Sequence, residues 1–390
     1  MSQLNVDTIK KADGTGNLSV PAETGTVVTT AAGSVEGAMT TQFGRRNLII
    51  NGAMQVAQRG TSSTSNGYAT VDRFQFSTTN TDQFASTKTQ DTTGPDGFSN
   101  SFKVVATTAE SAVAADERLR FIHFIEAQDL QQLGFGTASA KATTLSFYVK
   151  SNVTGTYGFS MYQADNGRLI GGTYTINTAD TWERKTLTFA GDTSGSITND
   201  NGQGFGMEWY LLAGSNYTGT DNTSWVAGSA DKRAYGHTAN WGETTNDYWQ
   251  VTGVQLEVGS VATPFEHRSY GEELAACQRY YYEFTDVNDS SEDIGLGSCY
   301  NTTQLELAIQ FPVQMRSAPT YSRVTTGTNF YAYGNNTNDG FAGFEGLGAV
   351  SKNRTMIYTQ AGDGFAGNTG QVRRIRKQDS AARINFDAEL

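Results

Sequence analysis

The sequence predicts an all-β fold on three observations. Glycine is abundant and proline rare, at 43 and 5 residues. The chain is only 37% hydrophobic and 17% charged, yet its 21 Phe, 18 Tyr and 5 Trp residues suffice to build cores. Because aromatic residues and Thr favour strands while Gly and Asn supply tight turns, this composition is typical of many short strands. Third, segments such as 144–150 alternate strictly, as expected for a strand with one buried face.

The N-terminal two thirds of the chain predict an arm followed by a sandwich. Residues 1–45 are polar and rich in Gly and Thr, which predicts an extended arm that pairs with other chains or a flexible tail. Eight strand-like segments between residues 71 and 258, separated by turn residues, predict a jelly-roll-like β-sandwich over 46–269. The apolar arm residues with which we expect pairing are Leu4, Val6, Ile9, Leu18 and Val20.

A change of pattern follows the predicted sandwich. Residues 271–282 have apolar side chains at three- and four-residue spacing and acidic residues in the first turn, which predicts a short helical linker over 270–282. Residues 304–311 and 382–390 alternate again. We therefore expect a smaller C-terminal β-domain over 283–390.

Net charge and apolar content exclude two classes of partner. The formal net charge is −11 and the pI about 4.8, whereas nucleic-acid binding needs a basic surface. No run of about 18 apolar residues is present, so we expect no membrane insertion. The first residues lack the apolar core of an export signal. A chain of extracellular composition without such a signal is expected to leave its host cell by lysis, as a virion component does.

Patterns typical of catalysis, metal binding or cofactor binding are absent from the sequence. His123, His237 and His267 are far apart, and there is no HExxH, CxxC, GxSxG or phosphate-binding loop. Cys277 and Cys299 are expected to be reduced thiols. We therefore predict a non-enzymatic protein with no catalytic residue, no metal and no cofactor.

Glycan cleavage by two carboxylates is the enzymatic alternative. Their separation is a three-dimensional quantity, so the sequence cannot pair them, and each is more simply a solvated charge at a strand end. The candidates are Asp116, Glu117, Glu126, Asp129 and Glu208.

Two aromatic segments are candidate ligand-binding surfaces. Residues 214–247 combine aromatic and amide side chains in a predicted loop, and its candidates are Tyr217, Tyr235 and Trp241. Sugars stack on aromatic faces and hydrogen-bond to polar side chains, but the favoured interpretation of Trp225 and Trp241 is that they cap the edge of the sandwich as core residues. Residues 330–344 offer a second surface, with Tyr331 and Tyr333 as candidates.

A basic cluster interrupts the acidic C-terminal region. A solvated strand with intersubunit ion pairs is the favoured interpretation of this cluster, and contact with an acidic cell-surface polysaccharide is the functional alternative. The cluster consists of Arg373, Arg374, Arg376 and Lys377.

Three groups of short motifs stand out, one in the N-terminal arm and one at each end of the predicted sandwich. The arm has LNVDTI at 4–9, and the start of the sandwich has RNLIING at 46–52, QRG at 58–60 and YATVDRF at 68–74. Its end has VQLEVG at 254–259 and TPFE at 263–266, followed by CQRYY at 277–281. Together they resemble bacteriophage tail-fibre proteins, especially those of cyanophages, with a carbohydrate-binding-module-like sandwich.

The resemblance implies a homotrimeric virion tail fibre. Its arm would attach to other phage tail proteins, and its distal domain would contact host-surface polysaccharide. A tail adaptor or decoration protein and a glycan-degrading tailspike are the alternatives. The motif residues also have structural interpretations: Asp72 and Arg73 as a salt-bridged strand end, Glu266 and Arg268 as fixing the exit strand, and Phe265 as a core residue.

Overall fold

The computed structural model describes residues 45–286, 289–323, 329–334, 336–379 and 382–390. The chain divides into Met1–Arg46 and a compact unit, Asn47–Leu390. Within the described ranges, no helix is long and apolar enough to cross a membrane. The arm residues lie outside the described residues, so their role stays a prediction; they are Leu4, Val6, Ile9, Leu18 and Val20.

The predicted all-β class is confirmed, beginning with two six-stranded sheets. Their strands are β1 (Ser62–Ser63), β2 (Phe74–Thr79), β3 (Ala85–Asp91), β4 (Ser101–Thr108), β5 (Arg118–Glu126), β6 (Thr143–Ser151), β7 (Gly155–Gln163), β8 (Arg168–Ile176), β9 (Glu183–Phe189), β10 (Gln203–Ala213), β11 (Val226–Ala227) and β12 (Tyr248–Val258). The first sheet has the order β1-β3-β4-β12-β6-β9 and the second β11-β8-β7-β10-β5-β2. Each of the eight segments predicted as strands overlaps one of these strands.

The two sheets face each other across an aromatic core. Trp209 on β10 is fully buried and lies 4.9 Å from Phe159 and 5.7 Å from Phe121, measured between ring centroids. Phe147, from the first sheet, lies 5.8 Å from the same indole ring. Each such ring buries roughly 150–250 Å². Because side chains alternate along a strand, a slip of one residue would expose this whole set, so the core fixes the register.

The helix α1, Tyr270–Gln278, follows the sandwich and is shorter than the predicted linker. Ser269 begins it with a capping box, in which its side chain accepts the N–H of Glu272. The predicted helix extended to Tyr282, but residues Tyr281–Glu283 form strand β13. Pairing of this segment with a strand a hundred residues away outweighs the weak propensity of a short helix.

Two further sheets occupy the C-terminal part of the compact unit. Their strands are β14 (Asp293–Cys299), β15 (Leu305–Gln310), β16 (Thr320–Arg323), β17 (Phe330–Gly334), β18 (Thr337–Phe341), β19 (Gly346–Leu347), β20 (Arg354–Tyr358), β21 (Val372–Lys377) and β22 (Ile384–Asp387). A three-stranded sheet has the order β13-β22-β16, and a seven-stranded sheet has the order β18-β17-β21-β14-β15-β20-β19. Cys277 and Cys299 are both free and buried.

The last residues of the chain fold back onto the sandwich through Glu389. Its carboxylate pairs with Arg73, which is fully buried, and lies 3.4 Å from Arg59. The Arg73 guanidinium lies 3.4 Å from the centroid of the Tyr280 ring, and Arg59 lies 3.6 Å from that of Tyr281. The QRG, VDRF and CQRYY motifs thus meet at one junction between the sandwich and the C-terminal strands.

The exit strand of the sandwich is fixed as the structural interpretation expected. The Glu266 carboxylate accepts the Asn47 N–H at 2.9 Å and pairs with Arg268 at the same distance. Arg268 also donates to the carbonyl oxygens of Asn47 and Ile49. The prediction that Phe265 is a core residue is wrong: its ring is half-buried in a surface cluster with Phe98.

We expect Glu389→Ala to lower the free energy of unfolding by about 3–5 kcal/mol, because it removes the carboxylate shared by two buried guanidinium groups. Urea denaturation at pH 7 measures this change. Asp293→Ala is the control, since it removes a half-exposed partner of Arg374 and should cost about 0–1 kcal/mol. Equal effects of the two substitutions would contradict the role of Glu389.

Candidate functional site

Strand alternation gives the seven-stranded sheet a buried face and an exposed face. On β17, Phe330 and Ala332 are buried, whereas Tyr331 and Tyr333 are half-buried and lie on the opposite face. The structure brings these two predicted binding residues side by side, with ring centroids 5.9 Å apart and an interplanar angle of 50°.

The same alternation divides the basic cluster on β21 into two pairs. Arg373 and Lys377 are buried. Arg373 donates to the Gly334 carbonyl oxygen at 2.6 Å and to the Thr337 hydroxyl at 2.8 Å, and Lys377 donates to the Asp286 carbonyl oxygen. Arg373 and Lys377 therefore have a structural role, because they donate to backbone oxygens. For these two residues the proposed contact with a polysaccharide is wrong.

Arg374 and Arg376 lie on the exposed face beside the two tyrosines. In the register of β17 and β21, Tyr333 is opposite Arg374 and Tyr331 is opposite Arg376. The Arg374 guanidinium carbon lies 5.1 Å from the centroid of the Tyr333 ring. Its ion pair with Asp293, at 3.5 Å, joins two side chains that are each about half exposed. Such a pair is weak and open to exchange for another anion.

Two exposed apolar side chains extend this surface. Leu296 is 68% exposed and opposite Arg374, and Val372 is 63% exposed and opposite Ser298. Sequence reasoning missed both, although the alternation of β14 and β21 would have placed them outward. We name these six residues the tyrosine–arginine face: Leu296, Tyr331, Tyr333, Val372, Arg374 and Arg376.

The tyrosine–arginine face combines two kinds of recognition chemistry. Aromatic rings present large, rigid apolar faces on which the C–H surface of a sugar ring can stack. Guanidinium groups offer several fixed donors that match hydroxyl, carboxylate or phosphate oxygens. The surface therefore suits an extended polar ligand with flat apolar faces.

The aromatic residues of the predicted 214–247 loop are placed differently. Trp241 is fully buried against Phe76 and Phe84, so its ring offers no face to a ligand. Its candidacy as a ligand-binding residue is therefore wrong, and the favoured interpretation as a core residue is correct. Tyr217 is only 8% exposed, and its hydroxyl donates to the Asp116 carbonyl oxygen. Tyr235 is half-buried. Burial of apolar rings explains two of these positions, because Trp241 belongs to the main core of the sandwich and Tyr217 to a small cluster with Tyr210 and Ala234.

That loop covers the outer face of the second sheet. Arg233, from the loop, lies 3.3 Å from Glu208 on β10 and 4.4 Å from the Tyr162 ring centroid on β7. Glu208 also pairs with Arg120 on β5 at 3.0 Å. Burial alone raises the pKa of Glu208, but Arg120 and Arg233 together hold it below its usual value. The carboxylate thus anchors the loop as a charged acceptor.

The other carboxylates considered for glycan cleavage also have structural partners. Glu126 pairs with Arg279 at 2.7 Å, and Glu117 accepts the Ala114 N–H at 2.8 Å. Against the raising effect of burial, Arg279 lowers the pKa of Glu126, whereas a catalytic acid needs a raised one. Among the described residues, no group of three or more His, Cys, Asp and Glu could hold a metal ion.

A shallow cavity of about 300 Å³ lies at one end of the loop, bordered by Ser215, His237, Asn240 and Glu243. His237 is buried, and its Nδ1 accepts the Gly158 N–H at 3.1 Å, which seats the loop on β7. Burial lowers the pKa of His237 to about 4. Its imidazole is therefore neutral at pH 7, as an acceptor of a backbone N–H must be.

We expect acid to weaken the hydrogen bond by which His237 holds the loop against β7. His237 has a folded-state pKa below the ordinary value of 6.5, so its stabilisation is fully present above pH 6.5 and is lost as pH falls toward 4. The loss between pH 7 and pH 4 should be about 3 kcal/mol. Urea denaturation at pH 7 and pH 4 gives the loss of free energy of unfolding for wild type and for His237→Asn. The difference between these two losses is the contribution of His237.

His267→Asn provides the matched control, because His267 is exposed. This variant should keep the pH dependence of wild type. If His237→Asn also keeps the wild-type pH dependence, burial of a neutral imidazole is not what holds the loop against β7.

Neither a protein-family model nor a curated protein matches the sequence. Similar solved structures include the enzymatically active domain of tailspike protein 4 from bacteriophage CBA120, which is 13% identical with a TM-score of 0.30. That match covers 54% of this chain but only 21% of the tailspike chain.

Carbohydrate-binding modules are also among the similar structures. A family 11 module of a Clostridium thermocellum cellulase is 12% identical over 53% of this chain and 98% of its own, with a TM-score of 0.27. The tandem family 22 modules of Paenibacillus barcinonensis Xyn10C are 8% identical over 90% and 100%, with a TM-score of 0.26. At these TM-scores the likenesses establish neither a shared fold nor a shared function.

Proposed function

We propose that this chain is a non-enzymatic tail-fibre protein of a bacteriophage and that its tyrosine–arginine face binds host-surface polysaccharide. The observation that carries the binding proposal is the placement of Tyr331 and Tyr333 directly opposite Arg376 and Arg374 on an exposed sheet face. Two adjacent aromatic rings bordered by guanidinium groups fit successive units of a glycan chain, since rings stack and guanidinium groups donate.

The tail-fibre part of the proposal is supported by the paired sequence motifs. They resemble phage tail proteins, and in the described part of the chain they build the junction that holds the C-terminal strands to the sandwich. A rigid junction suits a fibre, because it transmits the position of an attachment arm to a receptor-binding domain. In this proposal residues 1–45 attach to other tail proteins, and the particle is released by lysis.

The non-enzymatic part of the proposal is supported by the carboxylates. Glu126 and Glu208 have lowered pKa values and are engaged with arginine side chains, so neither is suited to donate a proton to a glycosidic oxygen at neutral pH. We expect purified protein to leave the chain length of host polysaccharide unchanged. Shortening of the polymer would favour a glycan-degrading tailspike.

The double variant Tyr331→Ala/Tyr333→Ala tests the binding surface. We expect at least a tenfold weaker binding to host-surface polysaccharide, because removing two stacking rings should cost more than about 1.4 kcal/mol. Binding of the purified protein and adsorption of the corresponding phage to host cells are both measurable.

Tyr270→Ala is the matched control. Tyr270 is 57% exposed on α1, which is not part of the seven-stranded sheet, and its loss should leave adsorption unchanged. Circular dichroism verifies that the variants are folded. If the double variant binds as wild type does, the tyrosine–arginine face is not the receptor surface. Separately, a map of the virion that places the chain away from the fibre tip would favour the adaptor alternative.

We also propose that the fibre is a homotrimer. Sedimentation should then give a mass near three times the 42.1 kDa of the chain. A single species of about 42 kDa at micromolar concentration would contradict the trimer but leave the binding surface untouched.

A further inference from the structure

The outer face of the first sandwich sheet carries a row of alternating lysine and aromatic side chains. On β12, Trp249 points into the core, while Tyr248, which is half-buried, and Gln250, which is buried, lie on the opposite face. Lys103 on β4 and Lys150 on β6 are both opposite Gln250, one on each side. The row therefore spans three adjacent strands.

The side chains of this row contact one another in sequence. The Lys103 ammonium lies 5.2 Å from the centroid of the Tyr248 ring, and Lys150 lies 6.0 Å from the same ring. Lys150 is also 5.2 Å from the centroid of the Trp182 ring. We name these four residues the lysine–aromatic row: Lys103, Tyr248, Lys150 and Trp182.

The charges of the lysine–aromatic row are only partly compensated. Lys103 pairs with Asp91 at 3.6 Å, and the Tyr248 hydroxyl donates to Asp180 at 2.5 Å. Within the described ranges, no carboxylate lies within ion-pair distance of Lys150, whose contacts are the two rings. The Lys150 ammonium is thus half-buried between two half-buried rings in a chain whose net charge is −11.

The backbone around the row is fixed before any ligand arrives. Ser151 donates from its hydroxyl to the Tyr248 carbonyl oxygen at 2.5 Å, and the Asn152 side chain accepts the Tyr248 N–H at 2.8 Å. The turn before Trp182 is held by the Asp180 N–H, which donates to the Ser151 carbonyl oxygen at 2.9 Å. The backbone that carries these side chains therefore needs little rearrangement when a ligand binds, which favours affinity.

We propose that the lysine–aromatic row is a second saccharide-binding site and that its ligand is an acidic sugar unit bearing a carboxylate or a sulfate. The C–H face of such a unit stacks on Trp182 or Tyr248 while its anionic group pairs with Lys150. Surface cation–π contacts by themselves contribute only about 0.5–1 kcal/mol. The alternating rings and ammonium groups offer an anionic sugar both a surface for stacking and a positive charge for its acidic group.

Binding to defined oligosaccharides tests this site in the full-length chain. The probes are oligogalacturonate, its uncharged methyl ester and a sulfated galactan oligosaccharide of equal length. We expect at least one anionic probe to bind and the methyl ester to bind at least tenfold more weakly. Affinity for the anionic probe should fall by at least tenfold in both Lys150→Gln and Trp182→Ala.

Lys141→Gln serves as the matched control, because Lys141 is an exposed lysine of the same sandwich outside the row. It should bind as wild type does. Lys150→Gln should also weaken binding of the anionic probe when it is introduced into Tyr331→Ala/Tyr333→Ala, which separates this site from the tyrosine–arginine face. The proposal is overturned if neither anionic probe binds, if the methyl ester binds equally well, or if Lys150→Gln is indistinguishable from wild type. Lys150→Gln keeps this test valid even if Trp182→Ala fails to fold.

Discussion

The buried pairing of Arg59 and Arg73 with Glu389 is the interaction on which the arrangement of the compact unit depends. A buried guanidinium group is costly unless it is paired, so the last residues of the chain must return to the sandwich. Their return brings β22 beside β13 and β16, and this sheet is continuous with the C-terminal core. The rings of Tyr280 and Tyr281 complete the shell around the two guanidinium groups.

Strand alternation then converts this rigid arrangement into surfaces with defined chemistry. The basic cluster on β21 illustrates the effect, because neighbouring arginines serve opposite purposes. Arg373 is buried and satisfies backbone oxygen atoms at the sheet end, while Arg374 is exposed beside Tyr333. On the first sheet, Trp249 fills the core while Tyr248 takes part in the lysine–aromatic row.

The two proposed surfaces share a chemistry but differ in how their charges are held. On the tyrosine–arginine face, Arg374 has a solvent-exposed acidic partner that a ligand can replace. In the lysine–aromatic row, Lys150 is held by aromatic rings alone within the described part of the chain. Apart from Trp182, which directly precedes β9, the residues of both surfaces lie on regular strands. Strands give the aromatic rings fixed spacings, which suits a ligand made of repeating units.

The sequence by itself determined the all-β class, eight of the twelve sandwich strands and the candidate pair Tyr331 and Tyr333, because alternation and turn residues are local properties of a chain. Only the tertiary structure decided that Trp241 is buried, since a ring in a loop can lie in the core or in solvent. It also decided the partners of Lys150 and Glu389. Those contacts join residues far apart in the chain, and sequence pattern holds no information about which strands become neighbours.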